Sequence, residues 1–287
     1  MRHWVSLNGT LMPAEEARVS VFDSGFMQGI GLFETMRSYN GRVFRLQQHL
    51  DRLVKSARDL GWTVIPDFDE LADNTYQVLT ATAGADARVR LTVTTGSLHA
   101  AAEDVPALTV VATAAPADSY PDDVYRKGVT VISSSSQQNP TDPTIGHKTT
   151  SYFARLAALR AAHAEAAFEA LWFTPDGHLA EASISSVFVV RDEVLLTPPL
   201  DAPVLPGITR AAVIELAVRQ DIPVREERLT LREVVDADEV FLTNSMIELI
   251  PVVRLGREPI GNEKPGDITR QLALAYGELI AEECGDG

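Results

Sequence analysis

Lys148 is set apart from the other lysines of this chain, Lys55, Lys127 and Lys264. Lys55 follows Val54 on a helix-like stretch that also carries Arg52. Lys127 follows Arg126, and Lys264 precedes Pro265 in a charged turn. All three contexts read as exposed. Lys148 lies in Gly146-His147-Lys148-Thr149-Thr150-Ser151-Tyr152, among small hydroxyl residues just before an Ala-rich helix. A lysine that forms a Schiff base must be held so that its amine faces one side of its partner, and must give up its proton readily. Glu181 stands 33 residues further on, in Leu179-Ala180-Glu181-Ala182-Ser183-Ile184. A carboxylate buried there without a partner would be costly, whereas one beside a pyridine nitrogen would keep that nitrogen protonated. Beyond it, Leu205-Pro206-Gly207-Ile208-Thr209-Arg210 reads as a tight turn into a helix. The first backbone N–H groups of such a helix, with its dipole, attract a phosphate dianion. A lysine, a carboxylate and an anion-ready helix start, in this order, are what pyridoxal 5′-phosphate (PLP) requires.

Each of these residues also has a plainer reading. Lys148 could be a surface lysine in a polar loop, and Glu181 a solvated carboxylate on an edge strand. Thr209 serves equally well as a helix N-cap. Arg52, in His49-Leu50-Asp51-Arg52-Leu53, has the guanidinium fork that suits phosphate, yet it would also sit well in solvent beside Asp51. Thr243-Asn244-Ser245-Met246 ends a strand and can offer hydroxyl and N–H groups to an anion. His3, His49, His99, His147, His163 and His178 show no metal-ligand spacing, so no metal is expected.

The elements that must position these groups alternate between strand and helix. Asn8-Gly9 and Asn40-Gly41 are hairpin signals. Leu46, Leu50, Leu53, Ala57 and Leu60 fall at helical spacing, with Gly61 to end the helix. A second helix is predicted over 70–82, a half-buried strand over 88–93 and a buried strand over 107–114. The Pro- and Asp-rich stretch from Ala115 to Tyr125 supplies the linker. After a serine-rich loop from Ser133 to Gly146 come a helix over 151–164, strands over 169–173, 179–183, 186–190 and 239–242, and helices over 208–219 and 267–283. The expected organisation is α/β (α+β) in two domains. A smaller N-terminal α/β domain covers 1–116, a linker 117–127, and a larger PLP-binding α/β domain 128–287.

The bulk numbers narrow the class. A chain of 287 residues can bury two cores. A net charge of −15 argues against a nucleic-acid partner. The single cysteine, Cys284, rules out a disulfide framework within one chain and points to a reducing cytoplasm. No signal-peptide pattern or apolar stretch of membrane-spanning length is seen, so no membrane is expected.

Taken together, these segments resemble the class IV aminotransferases, the fold-type IV PLP enzymes. That family includes branched-chain and D-amino-acid aminotransferases and 4-amino-4-deoxychorismate lyase. The resemblance runs from Asp23-Ser24-Gly25-Phe26 through Gly31-Leu32-Phe33-Glu34-Thr35-Met36-Arg37, His49 to Leu53, Lys148 to Tyr152, Glu169-Ala170-Leu171, Glu181 to Phe188 and Leu205 to Arg210, and ends at Thr243 to Val252. It implies that Lys148 is the Schiff-base lysine and proton shuttle and that Glu181 pairs the pyridine nitrogen. Arg52, the backbone of Ile208, the backbone and side chain of Thr209, and Ser245 would hold the phosphate. Tyr152 would lie near the ring hydroxyl, and the chain would form a homodimer. Three segments depart from family patterns. Gly96 to Ala102 lacks the arginine of D-amino-acid aminotransferases. Ser245-Met246-Ile247 replaces the Thr-Ala-Ala type of turn of branched-chain enzymes, and Ile30 stands where an acidic residue is usual. The favoured expectation is a transaminase moving an amino group between an amino acid and a 2-oxo acid. The alternative is the lyase, which releases pyruvate and 4-aminobenzoate. A non-catalytic PLP-fold protein is a third reading, against which the intact Lys148 and Glu181 speak.

Overall fold

Asn8 and Gly9, with φ of 50° and 78°, make the two-residue turn whose twist matches an antiparallel hairpin. It joins β1 (Trp4–Leu7) to β2 (Thr10–Pro13). This is seen in a computed structural model that describes residues 3–82, 86–98, 107–117 and 120–285. The short helix α1 (Ser24–Gln28) follows, capped by the Asp23 carboxylate on Gly25 N–H. Next come β3 (Gly31–Tyr39) and β4 (Arg42–Val43), joined by Asn40-Gly41 with φ of 50° and 76°. The helices α2 (Leu46–Asp59) and α3 (Phe68–Thr82) precede β5 (Ala87–Thr94) and β6 (Thr109–Pro116). These strands form one antiparallel sheet in the order β2-β1-β6-β5-β3-β4. Its core is made where Leu50, Leu53 and Ala57 of α2 and Leu71 and Val78 of α3 meet Met36, Val89, Leu91 and Val93. Burying each large side chain of this set contributes about 1.5–3 kcal/mol.

Two compact units make up the chain. Met1–Asp118, His147–Ser151 and Ile280–Gly287 belong to the first, and Ser119–Gly146 with Tyr152–Leu279 to the second. Lys148 therefore groups with the first unit, in contrast to the expectation that a single cut near residue 117 divides the chain. The stretch 117–127, expected to be a linker, holds helix α4 (Asp122–Lys127). Its acidic start and basic end suit the helix dipole.

The second unit continues with β7 (Val129–Ser133), α5 (Phe153–Ala164), β8 (Glu169–Phe173), β9 (Leu179–Ala182), β10 (Ser186–Arg191) and β11 (Val194–Thr197). It ends with α6 (Ile208–Arg219), β12 (Val224–Glu226), α7 (Leu231–Val235), β13 (Glu239–Asn244), β14 (Glu248–Leu255), β15 (Glu258–Pro259) and α8 (Asp267–Cys284), whose last residues belong to the first unit. The strands make a mixed sheet in the order β12-β11-β10-β13-β14-β7-β8-β9, with β15 added on β14. Its apolar core holds Val187, Val189, Leu242, Ile250 and Val252, and Phe188 stacks on Phe241 with ring centroids 5.0 Å apart. The α/β architecture matches the expectation, as do most element positions. The strand β14 and the parallel strands β7 and β12 were not read from the sequence. Among the described residues no helix is long and apolar enough to cross a membrane.

Candidate active site

In the first unit, the backbone of residues 148–150 is sewn onto the start of β3. Phe33 N–H donates to the Lys148 carbonyl at 2.9 Å, and Thr150 N–H donates to the Gly31 carbonyl at 2.8 Å. Leu32 and Thr149 form an isolated antiparallel bridge. The segment is thus an extra half-strand rather than a free loop, which fixes where the lysine side chain begins. Gly31 is required there, because a Cβ would meet Thr150 Oγ1 at 2.9 Å and Val93 O at 3.1 Å. The Lys148 amine lies 4.7 Å from the centroid of the Phe33 ring, and the Arg90 guanidinium carbon lies 3.8 Å from the same centroid. Arg88 and Arg90, with Trp4, Thr35 and Thr113, line a cavity of about 410 Å³.

Behind this segment is a buried charge cluster. Arg52 donates from Nε to Glu34 Oε1 at 2.8 Å and from Nη2 to Oε2 at 2.5 Å. His49 lies 2.7 Å from Glu34 Oε2 through Nδ1, and must donate there because a carboxylate only accepts. Burial alone would raise the Glu34 pKa, but the charges and hydrogen bonds of Arg52 and His49 overcome it and hold the carboxyl at about 2. His49 moves down, first through burial, with Arg52 and Lys148 adding to the effect and Glu34 opposing it. So Arg52 is not the solvated helix residue of the plainer reading. Because the Glu34 pKa is lower folded than unfolded, its stabilisation is complete above about pH 5 and is lost as the pH falls through about 2. Glu34→Gln is expected to lower stability by roughly 3 kcal/mol at neutral pH and to flatten the acid side of the profile. Thermal melts between pH 3 and 7 measure both effects.

In the second unit, β9 ends the sheet, yet Glu181 is only 4% exposed. The plainer reading of a surface glutamate is therefore wrong, because the chain folds back over this edge. Leu205 N–H donates to Glu181 Oε2 at 3.0 Å, and the Arg155 guanidinium donates to Oε1. Tyr152 is the residue before α5, and its ring centroid lies 6.0 Å from the Arg155 guanidinium carbon. Thr209 is inside α6 and buried. The N-cap is Gly207, which offers no side-chain hydrogen bond, and the first turn carries no acidic residue. A Cβ on Gly207 would come within 2.7 Å of Ser186 Oγ. This close approach sets the start of α6 against β10, where Ser186 faces Thr243 of β13. Ser245 follows in the turn from β13 to β14. Asn244 Oδ1 shapes that turn by accepting from Met246 N–H at 2.8 Å and Ile247 N–H at 3.0 Å.

Sequence reasoning missed a second carboxyl in this unit. Glu169 accepts from Ile184 N–H at 2.9 Å and from the Ser185 hydroxyl, and Asn244 Nδ2 donates to the same hydroxyl oxygen at 2.9 Å. Burial, first of all, pushes the Glu169 pKa up to about 7. The signal available in the sequence was a glutamate directly ahead of the apolar run Ala170-Leu171-Trp172. Arg88 and Arg90 were read only as part of the half-buried strand over 88–93. The departure noted at Gly96 to Ala102 falls partly outside the described residues, from His99 onward.

The residues of the second unit suit a phosphorylated pyridine. A helix start whose N–H groups are left to an outside acceptor fits a phosphate, and a nearly buried carboxylate fits a protonated ring nitrogen. Residues 31–255 match the family described as "Amino-transferase class IV". The chain belongs to that family. Class IV aminotransferases are PLP-dependent enzymes, and the family expectation is borne out. A Methanocaldococcus jannaschii chain with the provisional name branched-chain-amino-acid aminotransferase is 34% identical over 280 residues, 96% of each chain. Aminodeoxychorismate lyase of Bacillus subtilis is 31% identical over 283 residues, 96% of this chain and 94% of that one. Among solved structures, the branched-chain amino acid aminotransferase of Thermobaculum terrenum in its PLP form superposes with a TM-score of 0.87. It is 26% identical, and the match covers 99% of this chain and 95% of that one.

Proposed function

We propose that this class IV aminotransferase moves an amino group between an amino acid and a 2-oxo acid, with Lys148 as the residue that carries PLP. The observation that supports this most directly is the placement of the Lys148 amine. It shares the Phe33 ring with Arg90, and Arg90 with Arg88 lines the adjoining cavity. A guanidinium that shares a ring with the amine and also lines a cavity suits a carboxylate-bearing substrate, because it can orient the carboxylate while the amine handles the proton. When bound, PLP supplies the electron sink that makes the substrate's α-proton removable. Lys148 Nζ takes that proton and returns it. The Glu181 carboxylate holds the proton of the ring nitrogen. Arg52, the N–H groups of Ile208 and Thr209, the Thr209 hydroxyl and Ser245 hold the phosphate, and Tyr152 adjoins the ring hydroxyl. The protein works in the cytoplasm as a homodimer, a reading supported by its single cysteine and by the apolar residues Val21, Phe22, Phe26 and Met27, all at least 48% exposed.

The test is a half-reaction screen. L- and D-amino acids and aminodeoxychorismate are mixed in turn with the holoenzyme while the cofactor spectrum is followed. Conversion of the cofactor to its amino form by an amino acid supports the transaminase. Pyruvate release from aminodeoxychorismate, with no amino acid reacting, supports the lyase instead.

Arg52→Ala is expected to weaken PLP retention by roughly 10- to 100-fold, the loss of a charge-assisted hydrogen bond of about 1.5–3 kcal/mol. Because Arg52 also neutralises Glu34, the variant should melt earlier as well. Dialysis and reconstitution with PLP, beside a melt of the apo protein, separates the two effects. A lower melting point with unchanged PLP affinity would leave Arg52 as a partner of Glu34 alone.

A further inference from the structure

Glu181 is not a lone carboxylate awaiting a ligand. Its two oxygens are each engaged by this chain, Oε1 by the Arg155 guanidinium and Oε2 by Leu205 N–H at 3.0 Å. Arg155 sits in the first turn of α5 and reaches the Ser183 carbonyl at 3.4 Å as well as Glu181. It therefore ties α5 to β9, through Glu181, and to Ser183 just beyond the strand's end. The pair is well shielded, with the Arg155 side chain 22% exposed and that of Glu181 6%, so solvent screens it less than a surface pair.

We propose that Arg155 is a positioning residue that acts through Glu181. It fixes the carboxylate in one orientation and weakens that carboxylate's hold on the proton of the cofactor's pyridine nitrogen. The proposal rests on the reading of Glu181 as the partner of that nitrogen. A carboxylate that already neutralises a guanidinium is a poorer acceptor for a second cation, and a guanidinium close behind it disfavours the pyridinium charge directly. The pair thus sets how fully the ring nitrogen is protonated, and through it the strength of the electron sink. Burial opposes the charge on Arg155, but Glu181 above all, with Tyr152 and Glu169, raises its pKa from the usual value. The guanidinium stays charged at every working pH. Glu181, Tyr152 and Glu169 are the titratable groups that face it, and of these Glu169 changes charge near neutrality.

The experiment loads the holoenzyme with PLP labelled with nitrogen-15 in the ring and follows that signal by NMR as a function of pH. In Arg155→Gln the signal should lie nearer its protonated position than in the parent, and the pH at which the proton is lost should rise by about one unit or more. Arg155→Lys, which keeps the charge but not the fork, should move the signal the same way by less. Should the glutamine variant fail to fold, the lysine variant carries the test. Signals that coincide with the parent in the variants that fold, while Glu181→Gln shifts the signal, would overturn the proposal and leave Arg155 a structural partner. A signal unmoved by Glu181→Gln would instead overturn the assignment of Glu181 to the ring nitrogen, a distinguishable failure. A purely structural role for Arg155 changes the melting point and leaves the nitrogen signal in place.

Discussion

Lys148→Ala is expected to abolish the visible absorbance of the lysine-bound cofactor and to reduce turnover by at least about 10⁴-fold, while the fold survives. The magnitude follows from removing at once the group that carries the cofactor and the group that moves the proton, each of which contributes orders of magnitude. The fold should survive because the backbone, not the amine, stitches this segment to β3, through the Phe33 N–H to Lys148 O and Thr150 N–H to Gly31 O bonds. Alanine keeps both. The lost amine leaves the Phe33 ring, which Arg90 still covers. The variant should therefore melt close to the parent when both are compared in the apo form, and PLP should bind it reversibly. The check is borohydride reduction followed by peptide mass mapping. In the parent the cofactor should be found on the peptide that contains Lys148, and in the variant on none. A reducible link retained in the variant would move the role to Lys55, Lys127 or Lys264.

The residues that carry this chemistry were legible where a residue type is rare or a backbone requirement is strict. With so few lysines, Lys148 could be singled out by context. The hairpins at Asn8-Gly9 and Asn40-Gly41 announce themselves because few other residues tolerate the positive φ of those turns. The amphipathic spacing of α2 was equally plain. What was not legible depends on distance in space rather than along the chain. Nothing near Glu181 in sequence shows that residues 203–206 fold across its edge strand and that Arg155 reaches it from α5. Nor does the sequence around Lys148 show that residues 147–151 group with the first unit, since that grouping rests on contacts with residues far away in the chain, among them two backbone hydrogen bonds to β3 and the Thr150 hydroxyl's bond to Gly29 O. Glu34 illustrates the same limit. It occupies an apolar strand, where a carboxylate looks misplaced until His49 and Arg52, both on α2, are seen to meet it. Parallel strands such as β7 and β12 were missed because their partners are far away in the chain and no turn marks them.

Glu181→Gln is expected to leave PLP bound and to slow proton abstraction by at least about 100-fold. The carboxylate keeps the ring nitrogen protonated, and an amide of the same shape has no charge with which to do so. The surroundings add a second consequence. The parent's two oxygens accept from Arg155 and from Leu205 N–H. A glutamine can offer its oxygen to one of them and must turn its NH₂ group toward the other donor. One buried polar contact is thereby lost and Arg155 loses its counter-charge, at a cost of about 1–3 kcal/mol. A lower melting point alone thus says nothing about the ring nitrogen. The rate of a single turnover, measured on the fraction that remains folded and loaded with PLP, does. Arg155→Gln provides the reference, because it disturbs the same contact while leaving the carboxylate in place. If Glu181→Gln melts earlier but turns over at the parent's rate, Glu181 only anchors Arg155 and the loop at Leu205. If its rate falls far below that of Arg155→Gln at comparable loss of stability, the carboxylate acts on the cofactor, and the buried glutamate on an edge strand has its chemical reason.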